Sequence, residues 1–237
     1  MDNFFENAFK NMDDESRESF YKTVFMNDDS EYAAKLRLEY YRTKFKSMGE
    51  NVYIGKGVTI VNPEFISVGN NVEIKNDVTL IARGEGGITL ADGVRIQERV
   101  YLDTERVNTG YINVGKNVYI GTGTTLFGHM GLEIGDDCLL AQNIQLTPYS
   151  HIFDDHNSII YSQGGHCKKV TIGRDVYIGM RAAIMYSGDI GEGSVIGAGS
   201  VVVKPIPPYS VAVGCPAKVI KERKKKTQKF KSDEISF

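Results

Sequence analysis

From about residue 50 onward, aliphatic residues return at every sixth position. The cleanest run is Ile172, Ile178, Ile184, Ile190 and Ile196, all but Ile184 followed by glycine. The same cadence links Val68 to Ile74, Leu90 to Ile96, Val114 to Ile120 and Ile134 to Leu140. A 3.6-residue period would mark an amphipathic helix, and strict alternation a half-buried strand; a period of six is neither. It suits short straight segments joined by tight corners, with each aliphatic side chain turned inward and stacked on its equivalents in neighbouring coils. Three such segments make one triangular coil of about eighteen residues. The trios Gly69-Asn70-Asn71, Gly115-Lys116-Asn117, Gly135-Asp136-Asp137 and Gly173-Arg174-Asp175 mark corners. There the backbone must turn, and Gly, Asn and Asp accept positive φ at low cost. The pattern predicts an all-β solenoid, a three-sided prism, over residues 50–205.

The interruptions carry information of their own. Residues 147–169, TPYSHIFDDHNSIIYSQGGHCKK, contain no hexads and read as a loop extruded from the prism. A long loop in a compact domain is usually functional. Residues 82–88 and 104–111 read as shorter excursions. Residues 1–49 lack hexads and read as a helical segment, with a helix in EYAAKLRLEYYRTKF after the capping cluster Asn27-Asp28-Asp29-Ser30. The Pro-rich end of the prism leads into a segment, 206–237, with a short basic helix expected from about Ala217.

Composition narrows the function classes. The 237 residues carry a formal net charge of −2, which gives no global field for nucleic acid. Charge is uneven: residues 1–34 hold nine acids against three bases, and residues 218–237 hold eight bases against three acids. The three cysteines, Cys138, Cys167 and Cys215, are far apart and suggest neither a disulfide framework nor a zinc site, so no metal is expected. No apolar run is long enough to span a membrane, and the start MDNFFENAFK lacks the form of a secretory signal, so a soluble cytoplasmic protein is expected.

The segment from His151 through SQGG, then VTIGRDVYIG, then GDIGEGSVIGAGSVVVKPIPPYSVAVGCPAKVIKER, resembles the hexapeptide-repeat acyltransferases. The likeness covers roughly residues 50–223. It is closest to the branch holding maltose and galactoside acetyltransferases and the O-acetyltransferases of surface polysaccharides. That resemblance implies a left-handed parallel β-helix, a homotrimer with sites between subunits, and acetyl-CoA as donor.

Acetyl transfer to a hydroxyl needs a base for the acceptor proton and donors for the oxyanion. A neutral imidazole is suited to proton abstraction near pH 7. His151 stands where the hexads stop, and it matches the family's catalytic histidine, which makes it the expected general base. The resemblance and position make His129, Asp154, Asp155 and Gln163 candidates for the acceptor side. On the donor side, Gly179, Met180, Gly197 and Ala198 match positions lining the pantetheine groove. Lys204, Lys218 and Lys221 match basic positions that meet the nucleotide phosphates. Gly121 stands where the sugar acetyltransferases carry Asn, and His129 near where they carry an acid, so this chain lacks their acceptor pattern.

The function expected is acetyl transfer from acetyl-CoA to a hydroxyl of a sugar or polysaccharide precursor. Alternatives are N-acetylation of a nucleotide-linked amino sugar, or O-acetylation of serine or an antibiotic hydroxyl. Two other classes stay open: a non-catalytic β-helix scaffold, and a metal enzyme like the γ-class carbonic anhydrases, which also place histidines on adjacent coils.

Overall fold

The computed structural model describes residues 11–105 and 109–224. The expected prism is present as a parallel β-solenoid with three faces. The first face has six strands, from Ser47–Met48 to Val170–Ile172; the third has seven, from Thr59–Val61 to Val201–Val202; and the second, beginning at Tyr53–Ile54, has nine. The inward positions stack coil on coil. Ile54, Ile74, Ile96, Ile120, Leu140, Ile178 and Ile196 form one column along the second face, all fully buried. Cys138 belongs to the parallel column of Val118 and Val176. Burial pushes its thiol up to about 11, so it packs as a small apolar group.

The coils are longer than hexads alone predict. Thr59 pairs with Thr79, Ile112 with Leu132 and Thr125 with Gln145, an advance of 20 residues; only near the end, as from Ala183 to Val201, does it fall to 18. The additional residues enter at one corner, where the chain passes from the third face back to the first. Residues 82–87, 104–105 with 109–111, and 147–169 all leave the prism there, so among the described residues the excursions lie along one edge. Leu132 pairs directly with Val170, which makes 147–169 an insertion within a single long coil.

The corner trios divide two tasks. Asn71, Asn117, Asp137 and Asp175 carry the positive φ, between 54° and 60°. The glycine of each trio is small because the next coil is close. A Cβ on Gly135 would sit 2.6 Å from Arg174 N and 2.8 Å from Gly173 C. Both contacts are backbone, so the coils would have to separate. Gly135→Ala should therefore cost about 1–3 kcal/mol, read as a lowered urea midpoint; an unchanged midpoint would refute the tight stacking.

Of two N-terminal helices, the second covers the open first coil. α1 spans Asp14–Phe20 and α2 spans Glu31–Arg42. As the capping cluster predicts, Ser30 caps α2 by accepting from Ala33 N at 3.2 Å. In the second-face ladder each coil's N–H donates upward, as Gly55 N does to Ile74 O. The carbonyl of Ile54, in the lowest coil of that face, has no coil beneath it to receive from. Arg37 supplies the donor: its Nε lies 3.1 Å from Ile54 O, and its Nη1 reaches Phe25 O and Asp28 O at 2.5 and 2.6 Å. Arg37 is only 1% exposed.

The other end departs from expectation. Among the described residues no helix follows Ala217. Lys218–Glu222 is a strand, antiparallel to Ser210–Val213. The open edge left by Ser210–Val213 is satisfied by backbone pairing, which outweighs the helical preference of KVIKE. The basic residues Lys225, Lys226, Lys229 and Lys231 lie outside the described residues. Among the described residues, no helix is long and apolar enough to cross a membrane.

Candidate active site

His151 ends a strand, Tyr149–His151, that pairs antiparallel with Gly165–Cys167. The extruded segment is therefore not irregular throughout: its base is a hairpin, and it also holds a 3₁₀ turn at Ile160–Gln163. His151 is exposed and outside the prism interior. Its Nδ1 lies 3.4 Å from Tyr149 Oη, with the rings edge to face at 4.9 Å. Behind Tyr149, His129 stacks at 5.3 Å and 15°. His129 comes from the preceding coil, so the structure does bring His129 and His151 to one place, bridged by Tyr149.

The ring row continues along the same edge. His129 meets Phe127 at 5.9 Å, and Phe127 meets Tyr101 at 6.0 Å. Tyr101 Oη donates to Asp103, a carboxylate with no exposed surface. Arg83 grips Asp103 with two bonds of 2.7 and 2.8 Å, and Glu105 N donates to it at 2.7 Å. Burial by itself would raise this carboxyl, but the Arg83, Glu105 and Tyr101 donors outweigh it and hold it below the usual value. Arg83 and Glu105, at the roots of two excursions, thus meet on one satisfied carboxylate.

Asp154, Asp155 and Gln163 lie in the outer part of the loop. Asp155 accepts from Asn157 N at 2.9 Å and Ser158 Oγ at 2.7 Å, which lowers its pKa, with the Ser158 bond the larger cause. Gln163 Nε2 donates to the carbonyls of Asp155 and Ser158, both at 2.9 Å, while its Oε1 accepts from Asp155 N. Its amide is engaged in closing the loop. Asp154 is exposed, as are Phe153, Ile159, Ile160 and Tyr161.

The donor-side candidates gather elsewhere. Gly179 N donates to Ile196 O, and a Cβ on Gly179 would lie 2.5 Å from Ala198 N. Gly179-Met180 and Gly197-Ala198 are therefore stacked at the corner between the second and third faces, in the same column as Gly121 and Ala141. Met180 is half exposed there. Stacking alone requires the glycines to be small, so their size does not by itself specify a ligand. Lys218 pairs with Val213, whose side chain borders Gly197, and so belongs to this corner. Lys221 stands further along the same strand, opposite Val211. Lys204 is exposed but follows Val201–Val202 and lies at the other margin of the third face, on the edge of His151. Six residues cross that face, about 15–20 Å at ~3.3 Å each. Within one chain, His151 and the Gly179 corner occupy opposite margins.

Sequence reasoning passed over Tyr149 and the Arg83–Asp103 pair. Tyr149 was readable in principle, because residues two apart on a strand share a face. That required recognising a strand inside the excursion. Among the described residues no group of three or more His, Cys, Asp or Glu side chains could hold a metal ion.

A family model described as the hexapeptide repeat of succinyl-transferase matches residues 111–148 and 169–204. A probable acetyltransferase of Mycobacterium tuberculosis is 36% identical over 121 residues, 51% of this chain and 40% of that protein. The galactoside O-acetyltransferase of Escherichia coli is 38% identical over 111 residues, 47% of this chain and 54% of that protein. The chain thus spans about half the length of the curated relatives it matches. Among solved structures, an N-acyltransferase from Bacillus cereus, in complex with dTDP and 3-hydroxybutyryl-CoA, superposes with a TM-score of 0.58 at 26% identity. That match covers 84% of this chain and 92% of the other.

Proposed function

We propose that this chain, which matches the hexapeptide-repeat model over residues 111–148 and 169–204, is a member of that family and transfers an acetyl group from acetyl-CoA to a hydroxyl of a sugar or polysaccharide precursor. His151 is the general base. One observation carries this reading: His151, which the resemblance matches to the family's catalytic histidine, is exposed on a hairpin anchored in the prism, with a tyrosine and a second histidine packed behind it. In the reaction His151 takes the acceptor proton as the oxygen attacks the thioester carbon. The C–O bond forms, the C–S bond breaks, and the imidazolium returns its proton to the departing thiolate.

Residues that line the donor are proposed to be Gly179, Met180, Gly197 and Ala198, with Lys218 and Lys221 facing the nucleotide phosphates. Lys204 stands apart from this group and would meet the donor only from another copy. The separation of His151 from the Gly179 corner supports an assembly of copies, which the resemblance implies is a homotrimer of left-handed β-helices. The corner of one copy would then complete the site at the edge of the next. His129 is proposed on the acceptor side, with Asp154; Asp155 and Gln163 hold the loop. A cytoplasmic setting supplies the thioester.

N-acylation is the second reading, favoured by the structural likeness to the Bacillus cereus N-acyltransferase, one variant of which is bound to dTDP-4-amino-4,6-dideoxyglucose and coenzyme A. The test is a screen of sugar hydroxyls and nucleotide-linked amino sugars that reads release of free coenzyme A. Turnover with hydroxyl acceptors supports O-acetylation. Turnover confined to amino sugars overturns it in favour of the second reading.

A further inference from the structure

We propose that Tyr149 is a positioning residue for His151, setting which nitrogen of the neutral imidazole carries the proton. This inference rests on His151 acting as general base. Its phenol oxygen lies 3.4 Å from His151 Nδ1. A base that works through Nε2 must carry its proton on Nδ1, where it needs an acceptor. The Tyr149 oxygen can be that acceptor. When His151 has taken the proton of the substrate hydroxyl, the Nδ1–H becomes a charge-assisted donor to the same oxygen. The contact therefore tightens in the state that catalysis creates.

Three features hold the phenol in place. Tyr149 and His151 stand two apart on one short strand, so their side chains leave the same face. His129, from the coil before, stacks on the Tyr149 ring at 5.3 Å. Across the hairpin, the partner of His151 is Gly165. A Cβ at Gly165 would collide with Tyr149 Oη and Cζ. The ring lies over the space that a side chain would occupy there, and this brings its hydroxyl to the imidazole. The loop thus carries a tyrosine braced on one side by a histidine and admitted on the other by a glycine.

Tyr149→Phe keeps the ring, the stack and the hairpin and removes only the hydroxyl. Two measurements are made on the full chain. Long-range ¹H–¹⁵N spectra show which nitrogen of each neutral histidine is protonated, with His151→Ala identifying the His151 signals. Steady-state turnover is measured with acetyl-CoA and the best acceptor from the screen. In the wild type, His151 is expected as the Nδ1–H form. In Tyr149→Phe it should redistribute toward Nε2–H, kcat should fall about tenfold, and KM for acetyl-CoA should be unchanged. Gly165→Ala keeps the hydroxyl but displaces the ring, and should show the same tautomer change. An unchanged tautomer in Tyr149→Phe overturns the proposal, and so does an unchanged kcat. Should His151→Ala instead turn over like the wild type, the general-base reading fails. The spectra still report the Tyr149 contact in that case, so the two failures are told apart.

Discussion

Replacing His151 with alanine should lower acceptor-dependent release of coenzyme A by about 10²–10⁴-fold, the range for loss of a general base. Stability should hardly move. The side chain is exposed at the end of a two-stranded hairpin and belongs to no hydrophobic cluster. KM for the thioester should also hold, because the proposed donor groups lie at the opposite margin of the third face. A falling kcat with a constant KM and a constant melting temperature separates lost chemistry from lost binding or lost fold. Wild-type turnover in this variant would remove His151 from the mechanism and leave only the architecture.

The largest effect on stability is expected at Arg37. Its guanidinium donates to three backbone carbonyls, those of the buried Ile54 and Phe25 and that of Asp28 at the surface. Burial lowers the pKa of Arg37; Tyr53, Asp28, Asp29 and Tyr41 oppose this in part. Among the described residues no side-chain hydrogen bond to a carboxylate accompanies the three carbonyl contacts. Arg37→Ala leaves the buried carbonyls of Ile54 and Phe25 without their donor, at roughly 1–3 kcal/mol each, while water can reach that of Asp28. A loss of about 3 kcal/mol or more in urea unfolding is expected. Arg37→Lys should recover little, since a single ammonium cannot reproduce the planar fork that reaches all three. A loss below about 1 kcal/mol would show that water or rearrangement of the first coil replaces the guanidinium.

Much of the molecule is written locally. A residue such as Ile178 announces its burial by its spacing from Ile172 and Ile184, because each segment must turn one aliphatic side chain into a narrow prism. Ser30 announces the start of α2, since its hydroxyl has a helix N–H three residues away to satisfy. The absence of hexads over 147–169 marks the excursion, and His151 is legible as the residue at its root. Its partner Tyr149 was hidden because the strand that aligns them exists only by pairing with Gly165–Cys167 across the loop.

The sequence by itself determined the repeating unit, the inward columns and the position of the histidine, all of which follow from spacing within a few residues. Only the tertiary structure decided the rest. It set most coils at 20 to 24 residues, gathered the excursions on one edge and parted His151 from the Gly179 corner. It made Lys218–Glu222 a strand, and gave Arg37, which reads in sequence as an ordinary helix residue, the lowest carbonyl of the prism. The physical reason is the same in each case. A coil exposes unpaired backbone groups at both ends and offers three different edges, and which residue meets which is fixed by stacking between segments far apart in the chain.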